Sequence, residues 1–365
     1  VRLVQITAGI AEGDAVTNYA LGLDAYFREK KIFKSTAIFA EAFAGRRPKN
    51  VHHLATYTPL ANDIIVYHHS VGLLYLDSFL LKDVKPLIVY HNITPSQFYL
   101  KWDFRAAARM DLGRRQLHRL AQFNSPTVAL SEFSANELRQ TGFKNVTVLP
   151  YPILNNSKSK STKKENINQD QRWQQWINES TPYLLYVGRI APNKGIDNLL
   201  KIFDRIKKLG DYRLIIVGAF RSANDSYGRY LRDLVVDMQL QAAVCWTGYV
   251  DDQDLLAIRS GASVFLSLSE HEGFGVPFVE AMVSQVPILA YCCDSSSVSE
   301  VLGGCGIGFS TIDYDWLTKV TVQLIHDHQL RELVIDGQNR RLSDLQAIDV
   351  FGSFHKLIQD SYESL

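Results

Sequence analysis

The chain has 365 residues, of which 46% are apolar, and a formal net charge of +1. At roughly 150 residues per domain this length predicts two or three folded domains, and the apolar share excludes a disordered or fibrous chain. The neutral total excludes the overall basic excess of a general nucleic-acid binder, so we expect no nucleic-acid partner. Residues 1–150 hold 18 basic and 12 acidic side chains, whereas residues 151–365 hold 21 and 26. The charges of +6 and −5 indicate two regions of different kind.

Cysteine usage and hydropathy predict a reduced, cytoplasmic protein. The four cysteines all lie in the second half and form neither a CxxC pair nor a spaced metal-ligand pattern. The chain begins with the apolar run VRLVQIT, without a basic n-region and an h-region, and nowhere do 18 apolar residues follow one another. We therefore expect neither a secretory signal nor a membrane-spanning helix.

Short apolar runs alternate with helical patterns along the chain, which predicts parallel sheets with crossover helices. In the first half the predicted strands are Leu3–Thr7, Ile64–Tyr67, Leu87–Tyr90, Val128–Leu130 and Val146–Leu149, with helices near Ala15–Glu29, Phe104–Phe123 and Ala135–Thr141. In the second half they are Tyr183–Val187, Leu214–Val217, Val244–Thr247, Val264–Leu268 and Ile288–Tyr291, with helices between them and a helical tail from Trp316 onward.

A polar stretch separates the two series of elements. Asn155–Gln171 has almost no apolar residue and cannot form a packed core, so it predicts an insertion or linker. We therefore expect two doubly wound domains, residues 1–150 and 151–350, followed by a helix in residues 351–365 that could cross back to the first domain. In such folds ligands bind at the carboxyl ends of the strands, and with two facing domains in the cleft between them.

The most informative motif is Ser267–Met282, SLSEHEGFGVPFVEAM, which follows a predicted strand. Pro277 fits the first position of a helix, which makes the preceding residues a strand-to-helix loop and puts Glu280 about one turn inside. The loop comprises Glu272, Gly273, Phe274, Gly275 and Val276. Its free amides at a helix N-terminus are suited to a phosphate.

Two glutamates flank this loop. Glu280 could accept hydrogen bonds from ribose hydroxyls, and Glu272 from sugar hydroxyls, with Glu270 as a rival for the second role. The alternative is that both glutamates only cap or solvate the helix. The surrounding strand, glycines and proline favour the binding interpretation.

A second motif, Gly188–Gly195 (GRIAPNKG), follows the first strand of the second domain and opens the next helix. Arg189 and Lys194 could neutralise the charge of a departing diphosphate without a metal. The alternative is a pair of solvated surface cations. Their position beside glycines at a strand end favours the diphosphate.

Together these two motifs resemble the family 4 glycosyltransferases, retaining enzymes that use nucleotide-sugar donors. The resemblance implies a GT-B fold, with two Rossmann-like domains and the active site in the cleft between them. It also implies that Arg189 and Lys194 bind the diphosphate, Glu280 the ribose and Glu272 a donor-sugar hydroxyl. Gly273, Phe274, Gly275 and Val276 then lie beside sugar and phosphate, and Thr247–Val250 is similar to the segment that meets the nucleobase, which makes Val250 a donor contact.

The first domain resembles this family more loosely. The loop Gly9–Val16 is similar to a glycine loop that covers phosphate and acceptor, but only Gly13 followed by Asp14 stands where the family has two glycines, and Asp14 could equally be a helix N-cap. His91 ends a strand at the place where the family carries His-Asp, although Asn92 replaces the acid. We rank His91 first as the residue that contacts sugar.

Several other polar groups are assigned more modest roles. His68 and His69 also follow a strand, where a histidine is more often packed or capping. The pairs Asp252/Asp254 and Asp313/Asp315 read D-x-D but fall at predicted helix starts, so we predict capping and no metal site. The arginine-rich helix in residues 104–123 could meet an anionic acceptor or the inner membrane surface, or be a solvated basic face.

These observations predict a retaining glycosyltransferase that acts on a saccharide or glycolipid acceptor. No cofactor is expected, because the nucleotide sugar is a substrate, and UDP is the first choice because it is common in the family, with GDP open. A nucleotide-sugar epimerase, a phosphorylase and a non-catalytic sugar-binding subunit are the alternatives. The visible residues do not supply the acid/base groups of the first or the pyridoxal lysine of the second.

Overall fold

The computed structural model describes residues 1–45, 47–76, 85–153, 170–220, 225–293 and 296–362. The chain forms two compact units. The first unit comprises Val1–Leu100, Phe104–Leu154 and Ile348–Leu365, and the second comprises Lys101–Asp103 and Asn155–Ala347. Residues 155–169 of the predicted linker lie outside the described residues.

In the described part of the first unit, a seven-stranded parallel sheet has the order β3-β2-β1-β4-β5-β6-β7. The strands are β1 (Arg2–Ala11), β2 (Ser35–Ala44), β3 (Val51–His53), β4 (Asp63–His69), β5 (Leu87–Tyr90), β6 (Thr127–Ala129) and β7 (Val146–Val148). The helices are α1 (Ala15–Lys30), α2 (Phe104–Ala121) and α3 (Glu132–Gln140), with short 3-10 helices at Leu54–Thr56 and Ser96–Phe98. Strands β4 and β5 are buried along their whole length, as expected of a parallel sheet covered on both faces.

The second unit repeats this plan with a six-stranded parallel sheet in its described part, in the order β10-β9-β8-β11-β12-β13. Its strands are β8 (Tyr183–Val187), β9 (Arg213–Val217), β10 (Val244–Gly248), β11 (Val264–Ser267), β12 (Ile288–Tyr291) and β13 (Ile307–Phe309). Its helices are α4 (Arg172–Trp176), α5 (Ile196–Lys207), α6 (Ser226–Asp237), α7 (Asp252–Ser260), α8 (Val276–Val283), α9 (Ser297–Leu302), α10 (Tyr314–His326) and α11 (His328–Gln346). A 3-10 helix, Pro192–Lys194, precedes α5.

The last helix, α12 (Val350–Ser361), belongs to the first unit. Its Phe351 ring lies 6.3 Å from the Tyr19 ring and 5.5 Å from the Tyr26 ring, both on α1. The hydroxyl of Tyr362 donates to the carbonyl of Lys85 at 2.7 Å. Aromatic packing on α1 and the hydrogen bond to Lys85 therefore attach this terminal helix to the first unit.

The elements that the sequence pattern missed have weak apolar signals. Strand β2 reads STAIFAEAFA, in which alanines and one glutamate dilute the β-branched pattern, and only Ile38–Ala40 is fully buried. Strands β3 and β13 are three residues long, too short for a periodicity to show. The predicted helical tail is divided at Asp327, whose carboxylate accepts from the amide of Leu330 and so begins α11.

The strand order reverses at one point in each sheet, between β1 and β4 and between β8 and β11. In doubly wound sheets such a reversal opens a crevice at the carboxyl ends of the two strands, and ligands bind there. The second reversal lies where the two informative motifs begin, since one motif follows β8 and the other follows β11.

Candidate active site

The loops that follow β8 and β11 are brought side by side by strand pairing. Leu184 and Leu185 of β8 pair in register with Val264 and Phe265 of β11. The loop with the two cations and the loop with the glutamates therefore leave the same edge of the sheet, although about eighty residues of sequence separate them. This adjacency is a property of the strand order.

The centre of the site is an ion pair between the two loops. The ammonium Nζ of Lys194 lies 2.6 Å from the carboxylate Oε1 of Glu272, and the two side chains are only 10% and 14% exposed. Burial raises the pKa of Glu272, but the Lys194 ammonium and hydrogen bonds from Lys194 and Ser269 outweigh it and hold the pKa below its usual value. Burial lowers the pKa of Lys194 against the opposing effect of Glu272. The structure thus brings together Lys194, which is predicted to bind phosphate, and Glu272, which is predicted to bind sugar.

Arg189 acts electrostatically at the same place. Its side chain is exposed, and its charge contributes to lowering the pKa of Lys194. Glu270, the rival carboxylate, is exposed, and burial and the charge of Asp197 raise its pKa. The carboxylate that pairs with Lys194 is therefore Glu272, at the position that the resemblance indicated.

Asn193, which the sequence analysis did not single out, ties the two loops together. Its Nδ2 donates to the carbonyl of His271 at 2.9 Å, and its own carbonyl accepts from the amide of Glu270 at 2.9 Å. The carbonyl of Glu272 also accepts from the hydroxyl of Ser297 at 2.7 Å. The position of Asn193 next to Lys194 could have marked it as a site residue in the sequence. Nothing in the sequence marks Ser297, because its contact with Glu272 depends on tertiary packing.

Glycine is required at two positions of these loops. Gly195 has φ +61°, and a Cβ there would overlap the carbonyl oxygen of Leu268. Gly275 has φ +100°, and a Cβ there would stand 2.7 Å from the Phe278 ring. Both need the left-handed backbone and the close approach that only glycine permits.

Helix α8 begins at the end of the second loop, with one correction to the prediction. Val276 is its first residue, so Pro277 occupies the second position and not the first. The difference is small in physical terms, because the amides of the whole first turn lack an intrahelical partner and proline costs nothing there.

Glu280 lies one turn into α8 and pairs with a residue that sequence reasoning missed. Its carboxylate Oε2 is 2.6 Å from Nη1 of Arg259, at the end of α7, and the two side chains are 33% and 12% exposed. Burial, with the charge of Asp252, raises the pKa of Glu280 although Arg259 opposes the shift. Arg259 therefore holds in place the carboxylate that is predicted to bind ribose.

Two further loops reach the same edge of the second sheet. The amide of Gly218, after β9, donates to the carbonyl of Gly248, at the end of β10, at 3.0 Å. A Cβ on Gly218 would overlap the carbonyl oxygen of Gly188. Val250, the predicted nucleobase contact, is buried just beyond β10. Its contact with a nucleobase stays a prediction.

The D-x-D pairs lie at helix starts. Asp313 is the N-cap of α10 and accepts from the amides of Asp315 and Trp316. Helix α7 is capped by Asp251, immediately before the predicted pair. Within the described ranges no group of three or more His, Cys, Asp or Glu side chains is arranged to hold a metal ion.

In the first unit, Gly13 and Asp14 form the turn between β1 and α1. Gly13 has φ +73°, and the Asp14 carboxylate accepts from the amide of Thr17 at 3.0 Å. Asp14 is thus the N-cap of α1. Its predicted contact with the donor stays a prediction.

His91 is the end of a hydrogen-bonded histidine pair. Its Nε2 lies 3.0 Å from Nδ1 of His68, whose Nε2 lies 2.8 Å from Oε1 of Gln5. His91 is 7% exposed and His68 fully buried. Burial lowers the pKa of His68 to about 3 and, with the nearby His68 and His69, lowers that of His91 well below its usual value, so both rings are neutral. The sequence analysis assigned His68 a packing role and missed Gln5.

The arginines of α2 are largely paired within the first unit. Arg109 lies 2.6 Å from Glu41, Arg115 lies 2.8 Å from Asp111, and Arg114 pairs with Glu137. At the start of the helix Phe104 is 74% exposed. In the described part of the chain no helix is long and apolar enough to cross a bilayer. Contact of α2 with an anionic acceptor or a membrane surface stays a prediction.

Comparison with known proteins matches a family model to part of the second unit and identifies similar curated proteins. The family model for glycosyl transferases group 1 matches residues 167–339. The chain is 31% identical over 152 residues to O-antigen chain mannosyltransferase B of Escherichia coli, covering 41% of this chain and 39% of that protein. It is 37% identical over 109 residues to a GDP-mannose:cellobiosyl-diphosphopolyprenol alpha-mannosyltransferase of Xanthomonas oryzae pv. oryzae, covering 29% and 28%. The chain thus spans less than half the length of these two curated relatives.

The fold as a whole has a solved counterpart. Sucrose-phosphate synthase from Thermosynechococcus elongatus matches all of this chain and all of its own with a TM-score of 0.73 at 16% identity. The predicted GT-B fold of two Rossmann-like parallel-sheet domains is therefore confirmed. The matched segment, residues 167–339, holds Lys194, Glu272 and Glu280, so the ion-paired site lies in the part of the chain that is similar to the group 1 glycosyl transferases.

Proposed function

We propose that the protein is a retaining glycosyltransferase that moves a hexose from a nucleotide-diphosphate sugar to a saccharide or lipid-linked acceptor. The observation that carries the proposal is the buried ion pair between Lys194 and Glu272 at the switch point of the second sheet. A diphosphate needs a cation and a sugar needs hydroxyl acceptors, and this pair offers both within 2.6 Å.

The pair also compensates the charge of the buried ammonium before a donor binds. A buried ammonium without a partner would be costly, so Glu272 compensates its charge until a donor arrives. The diphosphate then takes over the ammonium, together with Arg189 and the amides at the start of α8. Glu272 is released to accept hydrogen bonds from the sugar, and Glu280, held by Arg259, accepts them from the ribose.

Leaving-group stabilisation is the main catalytic device in this proposal. The bond between the anomeric carbon and the phosphate oxygen breaks, and the electron pair goes to the diphosphate. Lys194 and Arg189 stabilise that charge as it develops. The acceptor oxygen forms the new bond on the same face of the sugar, and its proton passes to the departing phosphate oxygen. His91 contacts a substrate hydroxyl, and no step uses a metal or a cofactor.

The donor that we propose to test first is GDP-mannose. The names of the two curated relatives describe mannosyltransferases, and one name specifies GDP-mannose. The family resemblance by itself favoured UDP, which makes UDP-glucose the matched competitor. Acceptors of polysaccharide or glycolipid biosynthesis follow from the same relatives.

The test combines thermal shift with donor turnover. The full chain is incubated with GDP-mannose, UDP-glucose or ADP-glucose, and release of the nucleotide is followed with and without acceptor. We expect a shift and nucleotide release with GDP-mannose, and the released sugar at first to keep the anomeric configuration of the donor. A shift with UDP-glucose alone would overturn the donor assignment, and inversion would overturn the retaining mechanism.

A matched pair of variants tests whether Lys194 is needed for turnover. Lys194→Met should lower turnover at least 100-fold, because one charge-assisted contact to the leaving group is lost. Lys208→Met is the control, since Lys208 is 69% exposed and pairs with Asp204 on the helix surface. A protein that binds donor but releases no nucleotide with any acceptor would be the non-catalytic subunit.

A further inference from the structure

Three histidines at the carboxyl ends of β4 and β5, His68, His69 and His91, differ in how many of their ring nitrogens form hydrogen bonds. In His69, Nε2 lies 3.0 Å from the carbonyl of Gly113 and Nδ1 lies 2.8 Å from the hydroxyl of Tyr67. In His68 both nitrogens are also bonded. Among the residues that the structure describes, none bonds to Nδ1 of His91. His91 is therefore the member of the group with an atom left for a ligand.

Strand register places the three polar groups of this chain on one face of the sheet. Thr7 of β1 pairs with His68 of β4, and His68 pairs with Val89 of β5. Gln5 and His91 each lie two residues from these partners, and side chains alternate along a strand. Gln5, His68 and His91 consequently point to the α1 side, where the ring of Tyr19 packs edge-on against both imidazoles at 5.7 and 5.4 Å.

The orientation of the Gln5 amide is decided by its two partners. Its Nε2 donates to the carbonyl of Ala20 at 2.9 Å. A flipped amide would set Oε1 against that carbonyl, two acceptors facing each other, and lose the bond. Oε1 therefore faces His68 and can only accept.

The positions of the ring protons of His68 and His91 follow from the acceptor Oε1 of Gln5. His68 must donate from Nε2 to Gln5, and since a neutral imidazole carries one proton, its Nδ1 is an acceptor. His91 must then donate from Nε2 to His68. By the same count Nδ1 of His91 carries no proton and presents a lone pair.

We propose that Gln5 and His68 are positioning residues that hold His91 in the Nε2-protonated tautomer, so that its Nδ1 accepts a hydrogen bond from a substrate hydroxyl. This inference deepens the proposed function, on which the role of His91 depends. A hydroxyl at that position must be a donor, so a ligand group that can only accept, such as a carboxylate or phosphate oxygen, is rejected there. The tautomer itself is a property of the free protein.

The test reads the tautomer directly. Long-range ¹H–¹⁵N spectra of histidine-labelled protein distinguish protonated from unprotonated ring nitrogens, and His91→Gln identifies the His91 signals among the ten histidines of the chain. We expect the Nε2–H form for His91 and for His68. A predominant Nδ1–H form or a cationic ring at His91 in the wild-type protein would overturn the inference.

Two glutamine variants of the first unit separate the hydrogen bond from a general loss of stability. Gln5→Met keeps the volume but removes the acceptor towards His68 and should yield a mixture of His91 tautomers, whereas Gln116→Met, which removes an amide bonded to the backbone of Leu73, should leave the His91 tautomer unchanged. We expect Gln5→Met to lower kcat/KM for the donor about tenfold. If the tautomer of His91 is the same in both variants, the inference is wrong. If the tautomer changes and turnover does not, the hydrogen-bond chain from Gln5 through His68 to His91 is confirmed, and the proposed role of His91 in turnover is overturned.

Discussion

Breaking the Lys194–Glu272 pair from the cation side should destabilise the second unit by an amount that depends on pH. In Lys194→Met the carboxylate of Glu272 stays in a site where its side chain is only 14% exposed. Removing one partner of a buried pair costs about 3–5 kcal/mol, and the residual exposure favours the lower end, about 3 kcal/mol. With a urea slope of about 2–3 kcal/mol/M, the unfolding midpoint should fall by about 1 M at pH 7.5.

The sign of the pH dependence distinguishes this mechanism from loss of packing. In the wild type the pKa of Glu272 is lowered, so its contribution to the free energy of unfolding is present above its unfolded pKa, about 4.5, and is lost as pH falls through the folded pKa. Without Lys194, burial raises that pKa above its unfolded value. The variant is then penalised at neutral pH and relieved as the carboxylate protonates, so its deficit should shrink between pH 7.5 and pH 5.

The assay can be confined to the second unit, because all five tryptophans, Trp102, Trp173, Trp176, Trp246 and Trp316, belong to it. Tryptophan fluorescence in urea should show that the unfolding midpoint of Lys194→Met is about 1 M lower than that of the wild type. Adding Glu272→Gln removes the unpaired charge, so the double variant should recover at least half of this decrease. Lys208→Met should change the midpoint by less than about 0.3 M. A decrease for Lys194→Met that is independent of pH, or unchanged by Glu272→Gln, would refute the reasoning.

Variants at Gly195, Arg259 and Asp14 test individual contacts, the first with a matched control at Gly304. Gly195→Ala should lower the free energy of unfolding by about 3 kcal/mol, because a Cβ there overlaps the Leu268 carbonyl in addition to the positive-φ strain. Gly304→Ala is the control, since Gly304 has φ +84° and open space around it, and should lower the free energy by about 1 kcal/mol. Equal losses in thermal unfolding would contradict the overlap. Arg259→Met should raise the pKa of Glu280 further and weaken binding of free GDP, most strongly at low pH, as calorimetry between pH 5.5 and 8 can show; a pH-independent affinity would argue against the ribose role. Asp14→Ala should lower the free energy of unfolding by about 1 kcal/mol through the lost N-cap, measured by circular dichroism, with no change if the cap is unimportant.

The arginine content of α2 could be counted from the sequence, but the partners of these arginines could not be predicted from it. The arginine spacing predicted a cationic face on α2 that leaves out Arg114. In the structure Arg109 of that face pairs with Glu41 of β2, and Arg114, outside the face, pairs with Glu137 of α3. The pairs are long-range in sequence, so periodicity along the helix could not reveal them. The exposed, apolar Phe104 at the start of α2 was equally invisible to a charge count.

The sequence alone predicted most of the strands and the residue types of the two loops that form the candidate site. Apolar periodicity, the glycines at 195 and 275 and the proline at 277 act through local backbone preferences, so strand β8, strand β11 and their loops could be predicted from short windows. The types of side chain in those loops also indicated a phosphate and a sugar, because few residue types neutralise the one or accept from the other.

Only the tertiary structure decided which of these groups meet. The strand order sets β8 beside β11, and this brings Lys194 to Glu272 and Asn193 to His271. The order of β1, β4 and β5 likewise joins Gln5, His68 and His91. Pairing between strands distant in sequence depends on the free energy of the whole sheet and its covering helices. No local window of sequence carries that information, so the ion pair and the histidine relay became visible only in the folded chain.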